Sequence, residues 1–164
     1  MPDDLTTRTT QWLDRLDVSD CVRRYFLAFD RFDWDEVGRL VADEMTLAAP
    51  GLPAETSSRE EFVERARRRN DGYDLTVHLN PDHVVTIDGD HAHVTSHLLV
   101  GHGVGTAPEG HFWGYGFFEL ELVRRSPGWA ITACTVDRRH AEGGDPLTVR
   151  ALAAAQFEAR GGAR

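Results

Sequence analysis

The apolar residues of this 164-residue chain change their spacing once, near residue 70, and that change constrains the fold more than any single motif. Before it, Val18, Val22, Tyr25, Phe26 and Phe29 recur at three- and four-residue intervals, which predicts a helix over about Ser19–Arg31 with one apolar face. Asp33-Trp-Asp-Glu36 has the form of a capping box, and Val37, Leu40 and Val41 continue a buried stripe, so a second helix is expected to form a tight corner with the first. Met45–Ala49 reads as a short strand, broken by Pro50-Gly-Leu-Pro53. Ser58-Arg-Glu-Glu61 then caps a third helix to about Asn70, with Phe62, Val63 and Ala66 inward and Arg65, Arg67, Arg68 and Arg69 mostly solvated. From Tyr73 onward the pattern alternates, with strands expected near 73–80, 83–88, 91–103, 111–124 and 129–139 between turn signals such as Asp88-Gly-Asp90 and Ser126-Pro-Gly128. Three helices followed by a meander argue an α+β fold, helices packed on a strongly curved mixed or antiparallel sheet, in one domain over residues 1–164 with its core at about 18–140. A final amphipathic stretch, about 148–160, is expected to fray, to cover a cavity mouth or to pack on a partner chain.

Charge and residue usage narrow the function. A formal net charge of −9 gives no basic face for nucleic acid or an anionic membrane. No apolar run approaches the roughly 20 residues of a membrane span, and the polar start MPDDLTTRTT lacks the form of a signal peptide, so a cytoplasmic protein is expected. All 18 basic residues are arginine, which excludes Schiff-base chemistry, a lysine base and a lysine-bearing phosphate loop. Cys21 and Cys134 lack metal spacing and read as buried thiols. Carboxylates, tyrosines and the eight histidines remain for proton transfer.

Asp30 lies four residues after Phe26 and eight after Val22, on the apolar stripe of its helix and in the last turn, where the helix dipole disfavours an anion. A histidine partner would offset that cost; the alternative is an exposed carboxylate in a frayed turn. His78 shares a strand face with Thr76 and Asn80, opposite Leu75, Val77 and Leu79, and alternation leaves open whether that polar face meets solvent or a cavity. His102 ends the apolar row Ala92, Val94, Ser96, Leu98, Val100, as either a core histidine or a catalytic one. His91, His93 and His97 lie on the other face, spaced about 7 Å apart by the strand rise, too far for neighbours to chelate one ion, so no metal is expected. The strand after Pro108 turns Phe112, Gly114, Gly116, Phe118, Leu120 and Leu122 inward; the two glycines either leave room for a planar ligand or mark a bend or bulge. Trp113, Tyr115 and Phe117 then face outward, a patch expected to mediate self-association as a dimer or trimer.

These residues resemble the SnoaL-like branch of the nuclear transport factor two-like superfamily, closest to its scytalone dehydratase-like members. The carriers are Ala28-Phe-Asp-Arg-Phe-Asp-Trp-Asp35, Leu75-Thr-Val-His78, Asp88-Gly-Asp-His-Ala92, His102 and Gly128-Trp-Ala-Ile131 through Asp137. The resemblance implies a conical α+β barrel around a closed cavity. It also implies cofactor-free acid–base chemistry by Asp30, His78 and His102 on a small hydrophobic, polyketide-like or aromatic substrate. Tyr25, Phe26, Phe29, Asn80, Val100, Phe112, Gly116 and Phe118 are the expected substrate contacts. Where the dehydratases hold a carbonyl-polarising water with two tyrosines, this chain has Phe29 and Ala49, so the carbonyl-binding half is missing. A dehydratase, cyclase or isomerase is expected, with either histidine as the base; a non-catalytic binding or assembly module and an epoxide-opening hydrolase are the alternatives.

Overall fold

The computed structural model describes residues 2–162 and 164. Helix α1 runs over Pro2–Arg31, much longer than the apolar repeat predicts. Only its second half is packed: Val18, Cys21, Val22, Tyr25 and Phe26 are buried, whereas Leu5, Trp12, Leu13 and Leu16 stand exposed. The extension is helical because neither glycine nor proline interrupts residues 3–31 and a proline is tolerated in a first turn. A bidentate contact from Arg124 to Asp14, 2.9 and 3.0 Å, ties it to the sheet.

The corner after α1 is a Schellman closure. Asp33 N donates to Ala28 O at 2.9 Å and Phe32 N to Phe29 O at 3.1 Å, with Phe32 in the left-handed region at φ 57°. Asp30 is thereby fixed one residue before the helix end. Helix α2, Trp34–Leu40, is capped by Asp33, which accepts from Glu36 N at 3.0 Å. The Glu36 carboxylate turns instead to Arg39 at 2.8 Å and to Arg24, so only half of the expected capping box forms. In helix α3, Arg59–Asn70, both arms of the Ser58/Glu61 box are made, and Phe62 and Ala66 are buried.

Strand β1, Val41–Ala49, turns back at Pro50-Gly51 into β2, Leu52–Ser58, a strand the two prolines argued against. β2 lies at a sheet edge, where Pro53 interrupts no internal ladder. β3 (Leu75–Leu79), β4 (Val84–Asp88), β5 (His91–Gly103), β6 (His111–Arg124) and β7 (Trp129–Gly143) follow the expected meander. The order β2-β1-β7-β6-β5-β3 places β7 parallel to β1 and antiparallel to β6, so the sheet is mixed and open. β3 and β4 pair one after the other along the same edge of β5. Helix α4, Pro146–Ala159, buries Val149, Ala153 and Phe157; the Ala153 carbonyl lies where a Cβ on Gly72 would be, so the helix rests directly on the chain beside Tyr73. Arg150 of this helix lines the cavity.

Candidate active site

The inner face of β3 is its polar one. Thr76 and Asn80 are buried and His78 half-buried, while Leu75 and Leu79 face outward at 38% and 54% exposure. The reason is α1, whose last turn offers a carboxylate to this face. Asp30 Oδ1 accepts from Thr76 Oγ1 at 2.8 Å and from His78 Nδ1 at 2.6 Å, and Oδ2 accepts from the His78 backbone N–H at 2.9 Å. A carboxylate takes only donors, so Nδ1 carries the proton and Nε2 is the nitrogen left to act. The ring is held by Phe26, stacked at 5.5 Å and 26°, and meets His102 edge-on at 5.4 Å.

His102 lies between Tyr73, at 4.6 Å, and Phe112, at 5.3 Å. Burial, reinforced by the charges of His78, Arg150 and Arg138, holds its pKa well below that of an ordinary imidazole, so it is neutral. Its Nδ1 is buried and has no hydrogen-bond partner among the described residues. Asp30 therefore pairs with His78 and not with His102, and of the three expected groups the first two form a unit while the third faces them.

Two chambers that share part of their walls adjoin the pair. The inner one, about 90 Å³, is walled by Tyr25, Phe26, Phe29 and Phe118, and the outer one, about 150 Å³, by Val100, His102, Phe112 and Phe118; His78 lines both. The outer chamber is not sealed, since half-buried Pro50, Leu52 and Arg150 form its rim. A wider groove, about 880 Å³, lies elsewhere between α1, α2 and the β6–β7 turn, but it is lined by surface charges and contains neither histidine.

Two expected contacts do not hold. Gly116 offers no room to a ligand: a Cβ there would lie 1.9 Å from the Asp137 carbonyl, because β7 bulges at this point. Tyr115 pairs with His140 and Gly116 with Arg138, leaving Arg139 as the extra residue. Asn80 is buried but lines neither chamber. Arg69 is not solvated as expected and lines both chambers, and Arg138 and Arg150 line the outer one. A signal for Arg138 was present: Cys134, Val136 and Arg138 form an inward row on β7 that ends in a charge, as the His102 row ends in an imidazole. Arg150 had none, since helix spacing alone does not aim it. On the outer face of the sheet His93 and His97 pair with Glu121 and Asp82, and no metal-holding group of three acidic, histidine or cysteine side chains occurs among the described residues. Cys21 and Cys134 are buried and unpaired, their thiols pushed up to about 11 and about 12 by burial. No described helix is long and apolar enough to cross a membrane.

Solved structures share this architecture. Kfla4162 of Kribbella flavida superposes with a TM-score of 0.77 at 24% identity, covering 87% of this chain and 98% of its own. A Novosphingobium aromaticivorans protein provisionally assigned to the scytalone dehydratases gives 0.72 at 16%, over 85% and 97%. A type 2 hexachlorocyclohexane dehydrochlorinase (LinA) gives 0.69 at 15%, over 82% and 93%. No curated protein sequence matches. The family model for the SnoaL-like domain matches residues 10–135, from the exposed half of α1 into the first half of β7, and so spans the Asp30–His78 pair and His102. This chain belongs to the SnoaL-like domain family.

Proposed function

We propose that the chain is a cofactor-independent acid–base enzyme of the dehydratase, cyclase or isomerase type, acting on a small, largely apolar ring compound. In this reading it works in the cytoplasm as a homo-oligomer, without metal, nucleic acid or membrane. The observation that carries it is the Asp30–His78 contact at the wall of an apolar chamber. An imidazole whose Nδ1–H is held by a carboxylate presents a basic Nε2, and the carboxylate stabilises the imidazolium that forms. In an elimination, His78 Nε2 removes a proton from a carbon beside the leaving hydroxyl, the C–H electrons form the double bond, and the C–O bond breaks. The imidazolium returns the proton to the departing oxygen as water. His102, neutral and across from His78, orients the substrate oxygen. The outer chamber suits a small ring compound, since a cavity of about 150 Å³ is the size that admits benzene. Two fold neighbours, a dehydrochlorinase and a protein provisionally assigned to the scytalone dehydratases, fit an elimination. A non-catalytic module would leave Asp30 exposed or unpaired, whereas here three donors converge on it.

The test uses 5-nitrobenzisoxazole, a flat molecule whose ring opens to a coloured phenolate when a base takes its C–H proton. The protein should open it faster than free imidazole at equal concentration. Asp30→Asn and His78→Gln should each lower the rate by about 100-fold or more, and the double variant by little more than the worse single, because the two act as one unit. No acceleration over imidazole, or single variants at the wild-type rate, would reject the acid–base reading.

A further inference from the structure

The charged side chains lining the two chambers are all of one sign. Arg69 from α3, Arg138 from β7 and Arg150 from α4 converge on the outer chamber, and neither chamber is lined by any aspartate or glutamate. In a chain with 27 acidic residues and a net charge of −9, that is a local reversal of sign. Nor is it a shortage of partners nearby. Arg65, Arg67, Arg68, Arg139 and Arg160 each pair with a carboxylate, at Glu55, Asp71, Glu64, Asp137 and Asp74. Among the described residues Arg69, Arg138 and Arg150 have no such pair, although all three are half-buried.

Gathering unpaired cations in a partly dry pocket is unfavourable. Burial lowers the Arg69 pKa, and the charges of Arg65 and Arg150 lower it further, against an opposing contribution from Glu55. Arg138 finds partial relief over the Phe112 ring, 5.7 Å from its centroid. Arg150 stands beside Tyr73, whose hydroxyl is pushed up by burial against the effect of that cation. None of these contacts supplies a counter-charge, and His102, whose buried Nδ1 is unpartnered, lines the same chamber.

We infer that the outer chamber binds the oxyanion of an anionic ring substrate, a carboxylate or a phosphate ester, between Arg69, Arg138 and Arg150, with the ring directed toward His78. Guanidinium forks match the two oxygens of such a group and lose little on desolvation once paired. The anion would also set the orientation that a cavity of apolar walls leaves undetermined. This assignment rests on the acid–base reading for its place in a reaction, but not for the binding itself.

Calorimetric titration with three probes of one shape separates the two. 1-Naphthoate and 1-naphthyl phosphate carry the oxyanion, and 1-naphthamide is the neutral isostere. At least one anion should bind about tenfold tighter than the amide, the tighter of the two naming the group preferred. Arg138→Gln and Arg150→Gln should each weaken the anion about tenfold, the loss of one hydrogen bond to a charged group, and leave the amide unchanged. Binding of the amide also reports that each variant is folded. Asp30→Asn should lower nitrobenzisoxazole opening by about 100-fold or more yet keep the preference for the anion. Equal binding of all three probes, or arginine substitutions that weaken anion and amide alike, would overturn the oxyanion site while leaving the Asp30–His78 chemistry standing.

Discussion

Three donors meet on the two oxygens of Asp30, and one of them is the backbone N–H of the residue whose ring it also holds. That double grip on His78 fixes both strand and side chain, so the imidazole enters the chamber in one orientation and one tautomer. His102 is set by the opposite means, aromatic walls and no counter-charge, and its pKa falls. The consequence for stability has a definite sign. Between the depressed folded value and the ordinary value of 6.5, the unfolded chain binds a proton at His102 that the folded chain does not. Stability should therefore be fully present above about pH 6.5 and decline as pH falls below it. His83, lowered mainly by burial, acts in the same direction. Urea unfolding at several pH values between 7.5 and 5 should show the midpoint falling for the wild type and falling less for His102→Phe; equal slopes for the two would refute this origin. Gly116 makes a second residue-scale case. Its missing side chain accommodates the β7 bulge, so Gly116→Ala should destabilise by at least the 1–3 kcal/mol typical of overpacking, measured as a lower urea midpoint, even though alanine suits a strand better than glycine in general. At this scale the sequence singled out Asp30 and His102, because each departs from a row of apolar neighbours; His78 sits in a polar row with Thr76 and Asn80, and alternation alone left open whether that face met solvent or a cavity. Gly116 was ambiguous, since an empty strand position looks the same whether a ligand or a neighbouring strand fills it.

The elements divide by what their ends reveal. Caps announce themselves in local residues, so the starts of α2 and α3 fall at Asp33 and Ser58 as expected. Helix α1 has no such signal at its start, and residues 4–13 are helical yet exposed, which an apolar repeat does not detect. Its packing begins at Val18, so a chain lacking residues 2–13 should retain its melting temperature within a few degrees and keep the nitrobenzisoxazole rate; Asp14 and its Arg124 contact remain in that chain. A large loss of stability would mean that Leu5, Trp12 or Leu13 is covered in solution. β2 was hidden by Pro50 and Pro53, whose cost depends on whether a strand is internal or at an edge, a property of the sheet and not of the strand.

At the scale of the whole molecule, the site draws one group from each of several distant elements: Asp30 from α1, His78 from β3, His102 from β5 and the arginines from α3, β7 and α4. The opposite face of the same sheet gathers apolar groups. Register places Leu79 beside Leu99 and Tyr115, and Val77 beside Gly101 and Trp113, whose ring lies across that glycine. This face is the proposed self-association surface. Light scattering at micromolar concentration should give a multiple of the 18.4 kDa chain mass, and Trp113→Arg should return it to a single chain; a wild-type mass near 18.4 kDa would oppose the assignment.

The order of helices and strands apart from β2, the caps of α2 and α3 and the apolar inward rows follow from the sequence by itself, because periodicity and capping are set by residues within a few positions of one another. The parallel pairing of β1 with β7, the bulge at Arg139 and the inward turn of the polar face of β3 were decided by the tertiary structure. So were the choice of His78 as the partner of Asp30 and the gathering of Arg69, Arg138 and Arg150. Each depends on a contact between residues tens of positions apart, 48 in the case of Asp30 and His78. Local patterning marks a side chain as out of place on its own face, but the counter-charge or wall that gives it a use arrives from an element whose position only the assembled sheet and its covering helices define.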